Sequence, residues 1–512
     1  MFINFLLALL PIIWLIVALT ALKWPTWKAA IGSMLIAALL GLFYWHLSAG
    51  ETFTALLEGW LMALWPIVLV IIAAVFCYNL TVRTGAMENI KQMLTSVTSD
   101  RRLLVLLIAW CFGGFMEGMA GFGTAIAIPA GMLVGLGFPV IFSCLVCLIA
   151  NGMPTPFGSI GIPTVTLANL VGLSNTELSF AITIQTGLFI LLCPFLIVML
   201  AGRKGMKSFK GVGLITLMSG VMFLLPEMLV AKFVGAELAV VVGSVCSMAT
   251  VIVMALKKKP DPAFQVKIEK KPSLSMKEMV ISWSPFICIF VLLLLTSKLV
   301  PPLNSWLAQF ASQVQVYSGP NPNTITFTWI NTAGIWIFIS ALIGGLLQKA
   351  TAQDFKEVFV ATVKQMTPTI ITMLAVLSCA KVMAYAGMIG DIAAFCIALT
   401  GPFFTFFAPW LGCLGTFVTG SGTSSGLLFG QVQMDAATAL NMNPYWVVGL
   451  NMLGVGAGKM ISPQSIAIAL ASAGDPKKNQ GLDSKLLGKI MPYGLIFLLL
   501  MSVIGYVGGL FA

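Results

Sequence analysis

The sequence contains few charged residues and a single histidine. Asp, Glu, Lys and Arg make up 9% of its 512 residues, against about 25% in soluble proteins, and 59% of the chain is hydrophobic. So few charges cannot cover a soluble domain, which predicts a polytopic membrane protein surrounded by lipid. The only histidine, His46, lies near the predicted outer end of the second membrane span. Its position argues against a histidine proton relay and against a His-ligated metal site.

Sequence motifs of common enzyme classes are missing as well. There is no paired-carboxylate, Ser-His-Asp or phosphate-loop pattern, so an enzyme is the least favoured class, and neither a cofactor nor a metal is predicted. The ten cysteines lie mostly in apolar runs, and the CxxC pair at 144–147 lacks the second pair of a zinc site. The net charge of +11 is typical of basic cytoplasmic loops, and nucleic-acid binding is not predicted.

Apolar runs of about 20 residues, long enough to cross a bilayer, recur along the chain. They lie near 3–22, 29–49, 60–82, 179–201, 211–230, 235–256, 280–299, 329–347, 367–385 and 488–510. The first run lacks the basic flank and the cleavage site of a signal peptide, so a membrane helix is predicted there. Connections rich in lysine and arginine are expected in the cytoplasm, and the uncharged residues 301–328 outside.

These runs and connections divide the chain into seven predicted segments. They are N-terminal transmembrane helices (1–82), a first repeat core (83–172), transmembrane helices (173–256), a basic cytoplasmic linker (257–279), transmembrane helices with an external loop at 300–328 (280–385), a second repeat core (386–474), and a cytoplasmic loop with a C-terminal helix (475–512).

The two repeat cores share the order of their glycines and prolines. Gly121-Phe-Gly-Thr124 is matched by Gly420-Ser-Gly-Thr423, and Pro139 by Pro444. Because basic loops are cytoplasmic, the two copies must cross the membrane in opposite directions. Glycine and proline also free backbone groups that need partners within protein or a wet cavity. We therefore predict an all-α polytopic membrane protein with inverted-topology repeats, each containing a re-entrant hairpin and an unwound transmembrane helix.

Each copy is predicted to bring a hairpin tip to an unwound helix near mid-membrane. The tips are placed at Gly118–Thr124 and Thr419–Gly426, and the unwound stretches at Asn151–Pro163 and Gly454–Ser465. Free N–H groups and hydroxyls at such breaks suit a carboxylate ligand. The predicted substrate-binding residues are Gly121, Gly123, Thr124, Asn151, Ser159, Gly420, Ser421, Gly422, Thr423, Ser424, Ser425, Lys459, Ser462, Gln464 and Ser465.

Three ionisable residues lie inside broken or apolar stretches. Glu117 is the predicted proton-coupling residue, because desolvation favours the neutral form of a buried acid; a structural role in the hairpin is the alternative. Lys459 is predicted to pair with the carboxylate of an anionic substrate, the alternative being a side chain that reaches an interface. Lys381 could likewise pair with a substrate carboxylate or reach a membrane interface, because the outer end of its helix is close enough for its side chain to extend there.

Four long motifs resemble those of the bacterial lactate permease family. They are GGFMEGMAGFGTAIAIPAGMLVGLGFPV, ANGMPTPFGSIGIPT, GTFVTGSGTSSGLLFG and NPYWVVGLNMLGVGAGKMISPQSIAIA. The resemblance covers essentially the whole chain. It implies a secondary transporter of the bacterial cytoplasmic (inner) membrane that takes up L-lactate, and commonly D-lactate and glycolate, with protons. It also implies the inverted repeats and re-entrant hairpins of the ion transporter superfamily, but it assigns no role to any single residue.

The predicted function is import of L-lactate and related 2-hydroxy monocarboxylates with protons by alternating access. A sodium-coupled carboxylate transporter of the same architecture is the main alternative. A channel, a membrane enzyme and a structural subunit are the others. The apolar outer helices are compatible with a monomer or with a homodimer.

Overall fold

The computed structural model describes residues 2–121, 123–266, 274–297, 299–320, 322, 324–473 and 482–511. Phe122 at the first predicted tip, residues 267–273 of the predicted linker and residues 474–481 lie outside this part of the chain. In the described part, 11 helices are long and apolar enough to cross a bilayer. The chain is therefore a multi-pass membrane protein.

Helices account for nearly all of the described secondary structure. The N-terminal helices are α1 (Phe2–Thr20), α2 (Thr26–Phe43), α3 (Ala49–Met62) and α4 (Leu69–Arg83). The first repeat core contains α5 (Ala86–Thr95), α6 (Arg101–Val105), α7 (Gly113–Met119), α8 (Thr124–Gly135), α9 (Val140–Gly152) and α10 (Gly158–Val171). The middle helices are α11 (Asn175–Gly202), α12 (Gly213–Phe233), α13 (Ala236–Leu256), α14 (Met276–Thr296), α15 (Pro301–Ala308), α16 (Ala333–Leu347) and α17 (Ala352–Tyr385).

The C-terminal part continues with the second repeat core. Its helices are α18 (Met388–Thr400), α19 (Phe404–Thr419), α20 (Gly422–Ala439), α21 (Pro444–Ile461) and α22 (Pro463–Ser472), and α23 (Leu482–Gly509) follows. Shorter segments are π-helical at Ala63–Val68 and Leu106–Phe112, and 3-10 helical at Thr155–Phe157, Gly205–Phe209, Pro262–Phe264 and Gly401–Phe403.

Residues 301–328, predicted as an external loop, form α15 and a small antiparallel hairpin. The hairpin consists of β1 (Ala311–Gln315) and β2 (Thr324–Thr328), and its register pairs Ala311 with Thr328. The turn between the strands stacks Tyr317 on Tyr385 at the end of α17, with ring centroids 3.6 Å apart. The hydroxyl groups of Ser318 and Thr54 in α3 lie 3.0 Å apart. This segment therefore ties α3 to α17.

Two helical hairpins lie at the centre of the fold. Hairpin 1 consists of α7 and α8, and the described residues of its tip are 120, 121 and 123. Hairpin 2 consists of α19 and α20, with its tip at 420–421. α8 packs against α22, and α20 packs against α10. Each hairpin thus rests on the second half of the other copy's broken helix, a reciprocal arrangement that fits an inverted repeat. The predicted all-α class, with a hairpin and a broken helix in each copy, is confirmed.

The two broken helices differ in the extent of the break. α9 and the segment ending with α10 meet at an angle of 65°, and Ser159, Ile160 and Gly161 have left-handed backbone angles. In the second copy, α21 stays helical to Ile461, and Ser462 alone separates it from α22. The predicted unwinding of the second helix from Gly454 onward is therefore wrong.

The glycines of α21 serve close packing instead of unwinding. A Cβ atom at Gly454 would overlap the carbonyl oxygen of Pro409 in α19, and one at Gly456 would lie 2.6 Å from the carbonyl oxygen of Gly152 in α9. Small residues at such positions let helix backbones approach each other within a membrane. The GVGAG sequence that suggested an irregular backbone is therefore a packing surface of a regular helix.

The close packing at Gly454 leads to a test of stability. Gly454→Ala is expected to destabilise the protein by about 1–3 kcal/mol, because the new methyl group meets a backbone carbonyl that cannot rotate away. Gly488→Ala in α23 is the matched control, since a Cβ atom there has no neighbour within 4 Å. Thermal unfolding in detergent should show a loss for the first variant only; equal midpoints would contradict the packing role.

Candidate functional site

Both hairpin tips lie close to the helix breaks at one place, which we call the central junction. It consists of residues 120, 121, 123, 420 and 421 of the tips, residues 153–161 of the first break, and Ser462. Ser159 Oγ donates a hydrogen bond to the Ala120 carbonyl oxygen at 2.9 Å. Lys459 Nζ donates to the Gly420 carbonyl oxygen at 2.8 Å. Both bonds join a broken helix to a hairpin of its own copy. Each hairpin tip is therefore held against the broken helix of its own copy.

The glycines of the first tip let the chain turn tightly against the first break. Gly121 and Gly123 have φ angles of +56° and +87°, a region that favours glycine. A Cβ atom at Gly121 would overlap Ser159 Oγ. Thr124 Oγ1 donates to the Gly121 carbonyl oxygen at 2.8 Å. These three predicted binding residues therefore hold the tip in shape.

Side chains satisfy part of the backbone freed by the first break. Thr155 Oγ1 donates to the Asn151 carbonyl oxygen at 2.6 Å, and Thr164 Oγ1 donates to the Pro156 carbonyl oxygen at 2.7 Å. Both threonines are buried. Internal partners of this kind are what an irregular backbone at membrane depth requires.

Two opposite charges are buried beside the junction. The exposed fractions of Glu117 and Lys459 are 3% and 5%, and the two side chains interact electrostatically. Asn151 also interacts with the Glu117 carboxyl group. At Gly158, a Cβ atom would lie 2.5 Å from Glu117 Oε1, so the acid lies directly against the first break. The residues predicted for proton coupling and for carboxylate pairing thus lie within reach of each other's charge.

Several buried polar atoms near the junction have no hydrogen-bond partner among the described residues. They are Glu117 Oε2, Asn151 Oδ1 and the hydroxyl oxygens of Ser424, Ser462 and Ser465. A buried polar group left without a partner costs about 1–3 kcal/mol. Native proteins rarely contain such groups unless water, an ion or a ligand satisfies them. All five atoms belong to residues that the sequence predicted for the site.

The remaining predicted residues of the second tip have different positions. Ser421 caps α20, because its hydroxyl accepts a hydrogen bond from the Ser424 N–H group at 3.3 Å. Ser425 Oγ donates to the Gly412 carbonyl oxygen at 2.7 Å and thereby joins α20 to α19. A Cβ atom at Gly422 would lie 3.2 Å from Thr155 Cγ2 in the first break. Thr423 is half-buried in the first turn of α20.

Gln464 lies on the exposed side of α22, in contrast to its neighbour Ser465. A Cβ atom at Gly420 would overlap Gln464 Oε1, so this side chain lies against the second tip. Gln464 therefore contacts the central junction and is also exposed at the protein surface.

Sequence reasoning missed the buried charge pair of Glu58 and Lys381, away from the junction. Lys381 Nζ of α17 lies 2.8 Å from Glu58 Oε1 of α3, and the two side chains are 5% and 0% exposed. Tyr385 Oη donates to the same carboxylate at 2.9 Å. Lys381 thus reaches a partner inside the protein instead of an interface.

Glu227 of α12 was not considered from the sequence either. It is fully buried, and neither of its carboxylate oxygens has a partner in the described part of the chain. The signal available in the sequence was an acid within the apolar run Leu224–Val230, where ionisable residues are costly.

Sequence comparisons with known proteins agree with the motif resemblance. The family model for L-lactate permease matches residues 4–508. An L-lactate permease of Streptococcus iniae is 42% identical, over 86% of this chain and 92% of its own. A glycolate permease of Escherichia coli K12 is 32% identical, over 98% and 94%. Among solved structures, the YdaH transporter of Alcanivorax borkumensis has a TM-score of 0.49 and 15% identity, over 89% of this chain and 87% of that one. The chain belongs to the L-lactate permease family.

Proposed function

We propose that this chain imports L-lactate, D-lactate and glycolate in symport with protons across the bacterial cytoplasmic membrane by alternating access. One observation carries the proposal: Lys459 and Glu117 are buried together at the central junction, beside hydroxyl groups without a partner among the described residues. The relatives named for L-lactate and glycolate point to the same substrate class.

The charges at the junction give a reason for coupling. Lys459 and Glu117 together carry no net charge when both are ionised. A bound 2-hydroxy monocarboxylate adds one negative charge, which is costly in a buried site. A proton on Glu117 removes that excess, so that cation, substrate anion and neutral acid again sum to zero. Substrate and proton therefore favour each other's binding, and by linkage the effect is reciprocal.

The proposed contacts follow from the groups that lack protein partners. Lys459 pairs with the substrate carboxylate, and the Ser424, Ser462 and Ser465 hydroxyls bind its oxygens and its 2-hydroxyl group. Ser424 lies in the first turn of α20, where N–H groups and the helix dipole also favour an anion. Ser425 is left out of the set, because its hydroxyl is already donated to Gly412.

Gradient-driven uptake tests the function directly. Purified protein in sealed proteoliposomes is given radiolabelled L-lactate with either an imposed pH gradient or an imposed sodium gradient. Accumulation driven by the pH gradient alone supports a proton symporter. A requirement for sodium would overturn the coupling, large uncoupled currents would indicate a channel, and no uptake under either gradient would overturn the substrate.

The adjacent serines of hairpin 2 provide a matched pair for the binding contacts. Ser424→Ala is expected to raise the KM for L-lactate about tenfold or more, since a hydrogen bond to a charged group contributes about 1.5–3 kcal/mol. Ser425→Ala is expected to lower the unfolding midpoint with little change in KM, because its partner is the Gly412 carbonyl. Uptake kinetics and thermal unfolding of both variants separate the two roles; an unchanged KM in Ser424→Ala would contradict the binding contact.

A further inference from the structure

The described residues line a half-open cavity of about 1150 Å³ on one face of the molecule. Lys91 of α5 and Lys258, just after α13, border it, which makes this the lysine-rich face. Glu88 is the acid in the lining, and it forms an ion pair with Lys91 at 3.5 Å. The border therefore carries one net positive charge, that of Lys258, whose ammonium group donates to the Gly211 carbonyl oxygen. A positive border favours anions in the cavity.

One wall of the cavity is a single side of α8 in hairpin 1. Ala127, Met132 and Gly135 line it, together with Ile128 and Gly131. Positions 127, 131 and 135 are four residues apart, as are 128 and 132, which places all five on one side of the helix. The opposite side is buried, including Ala130 and Leu133. Because α8 begins at Thr124, next to the first tip, this wall leads from the central junction toward the lysine-rich face.

A second accessible surface runs beside it along α22. Gln464, Ala467 and Ala471 are exposed, and their spacing of three and four residues puts them on one side of the helix. Gln464 lies against the second tip, and Ser472, the last residue of α22, lines the cavity. This helix of 10 residues, about 15 Å long, therefore joins the candidate site to the cavity by an exposed strip.

The hairpin meets α22 at Gly123 of the first tip and at Gly131 of α8. A Cβ atom at Gly123 would lie 2.8 Å from Ile468 Cδ1, and one at Gly131 would lie 3.0 Å from the Ser472 carbonyl oxygen. The helices α8 and α22 therefore lie close together both at the first tip and at the border of the cavity.

We infer that this cavity is the cytoplasmic vestibule of the transport pathway, and that the exposed strip Gln464–Ala467–Ala471 of α22 is the wall along which the substrate anion leaves the central junction. The inference rests on the proposed function for the identity of the anion. It makes the structure an inward-facing state, in which the central junction is reached from the cytoplasmic side.

Cysteine accessibility tests the vestibule with two pairs of alanines. Ala467→Cys on the strip is compared with Ala469→Cys, which is fully buried on the same helix. Ala127→Cys in the cavity wall is compared with the fully buried Ala130→Cys. A negatively charged, membrane-impermeant methanethiosulfonate is added to inside-out or right-side-out vesicles. The protein without these substitutions is labelled in parallel, which measures the background reaction of its ten native cysteines.

The expected result is modification of both accessible cysteines about tenfold faster than of their buried partners, from the cytoplasmic side only. Modified Ala467→Cys should also lose lactate transport. If Ala467→Cys reacts from neither side of the membrane, the strip faces lipid. If it reacts faster from the external side, the strip does not border a cytoplasmic vestibule. Either result overturns the inference. So does full transport after complete modification. The labelling rates need no lactate, so a failure of the proposed substrate would leave them unchanged.

Discussion

Replacing Lys459 by methionine is expected to lower L-lactate uptake about 30-fold or more, because losing one partner of a buried charge pair costs about 2–5 kcal/mol. The side chain is buried and holds the second hairpin tip through the Gly420 carbonyl. Without the ammonium group, the substrate carboxylate would enter a buried site with no cation. The uncharged variant would also leave Glu117 without its opposite charge.

The same substitution at an exposed lysine is the control. Lys232 lies near the end of α12, where its ammonium group is 5.2 Å from the centre of the Phe180 ring. Lys232→Met is expected to leave uptake unchanged. Both variants are compared as folded, monodisperse protein with initial uptake rates at equal protein density. Uptake by Lys459→Met close to that of Lys232→Met would contradict a role for Lys459 in substrate binding.

The buried pair of Glu58 and Lys381 is expected to have the largest effect on stability. Either Glu58→Gln or Lys381→Met alone should destabilise the protein by about 3–5 kcal/mol, because an uncompensated charge remains in the interior. In Lys381→Met, Tyr385 would remain as the hydrogen-bond donor to the carboxylate. Loss of the pair would also loosen α3 from α17, where Tyr317 of the segment between α15 and α16 stacks on Tyr385.

The double variant Glu58→Gln/Lys381→Met separates charge from shape. With both charges removed, most of the lost stability should return, since a buried ion pair contributes little net free energy over neutral groups. Glu357→Gln is a surface control, because its ion pair with Arg83 has side chains 48% and 52% exposed. Unfolding midpoints in detergent measure all four variants. A double variant as unstable as the worse single one would contradict coupling between the two charges.

Parts of the site that depend on local sequence chemistry were predictable. Glycine and proline in apolar runs identified both hairpin tips and the first break, because such residues release backbone groups that a membrane protein must satisfy. Glu117 and Lys459 were identifiable because an ionisable residue in an apolar stretch is expensive. Their proximity was predictable because two matched copies of opposite orientation bring their hairpin tips together near the middle of the membrane.

Other features depend on contacts that a sequence does not display. Gly454 and Gly456 suggested an unwound helix, but their positions against backbone carbonyls of α19 and α9 are set by tertiary packing. The neighbouring hydroxyls of Ser424 and Ser425 have different surroundings. The Ser425 hydroxyl donates to the Gly412 carbonyl oxygen, whereas the Ser424 hydroxyl has no hydrogen-bond partner among the described residues.

Glu58 was missed because the span was expected to begin at residue 60, whereas α3 begins at Ala49. A signal for that earlier start exists. Ser48 and Glu51 form a capping box, a spacing readable from sequence, and it places Glu58 inside the helix.

Proton coupling through Glu117 is the central claim, and Glu117→Gln tests it most directly. The substitution keeps size and polarity and removes the proton site. The measurement is L-lactate counterflow and pH-gradient-driven accumulation by the same proteoliposomes. Because the neutral amide mimics the protonated acid, counterflow is predicted to persist while accumulation driven by the pH gradient is lost. Full accumulation by Glu117→Gln would contradict the account, since the coupling proton would then bind elsewhere.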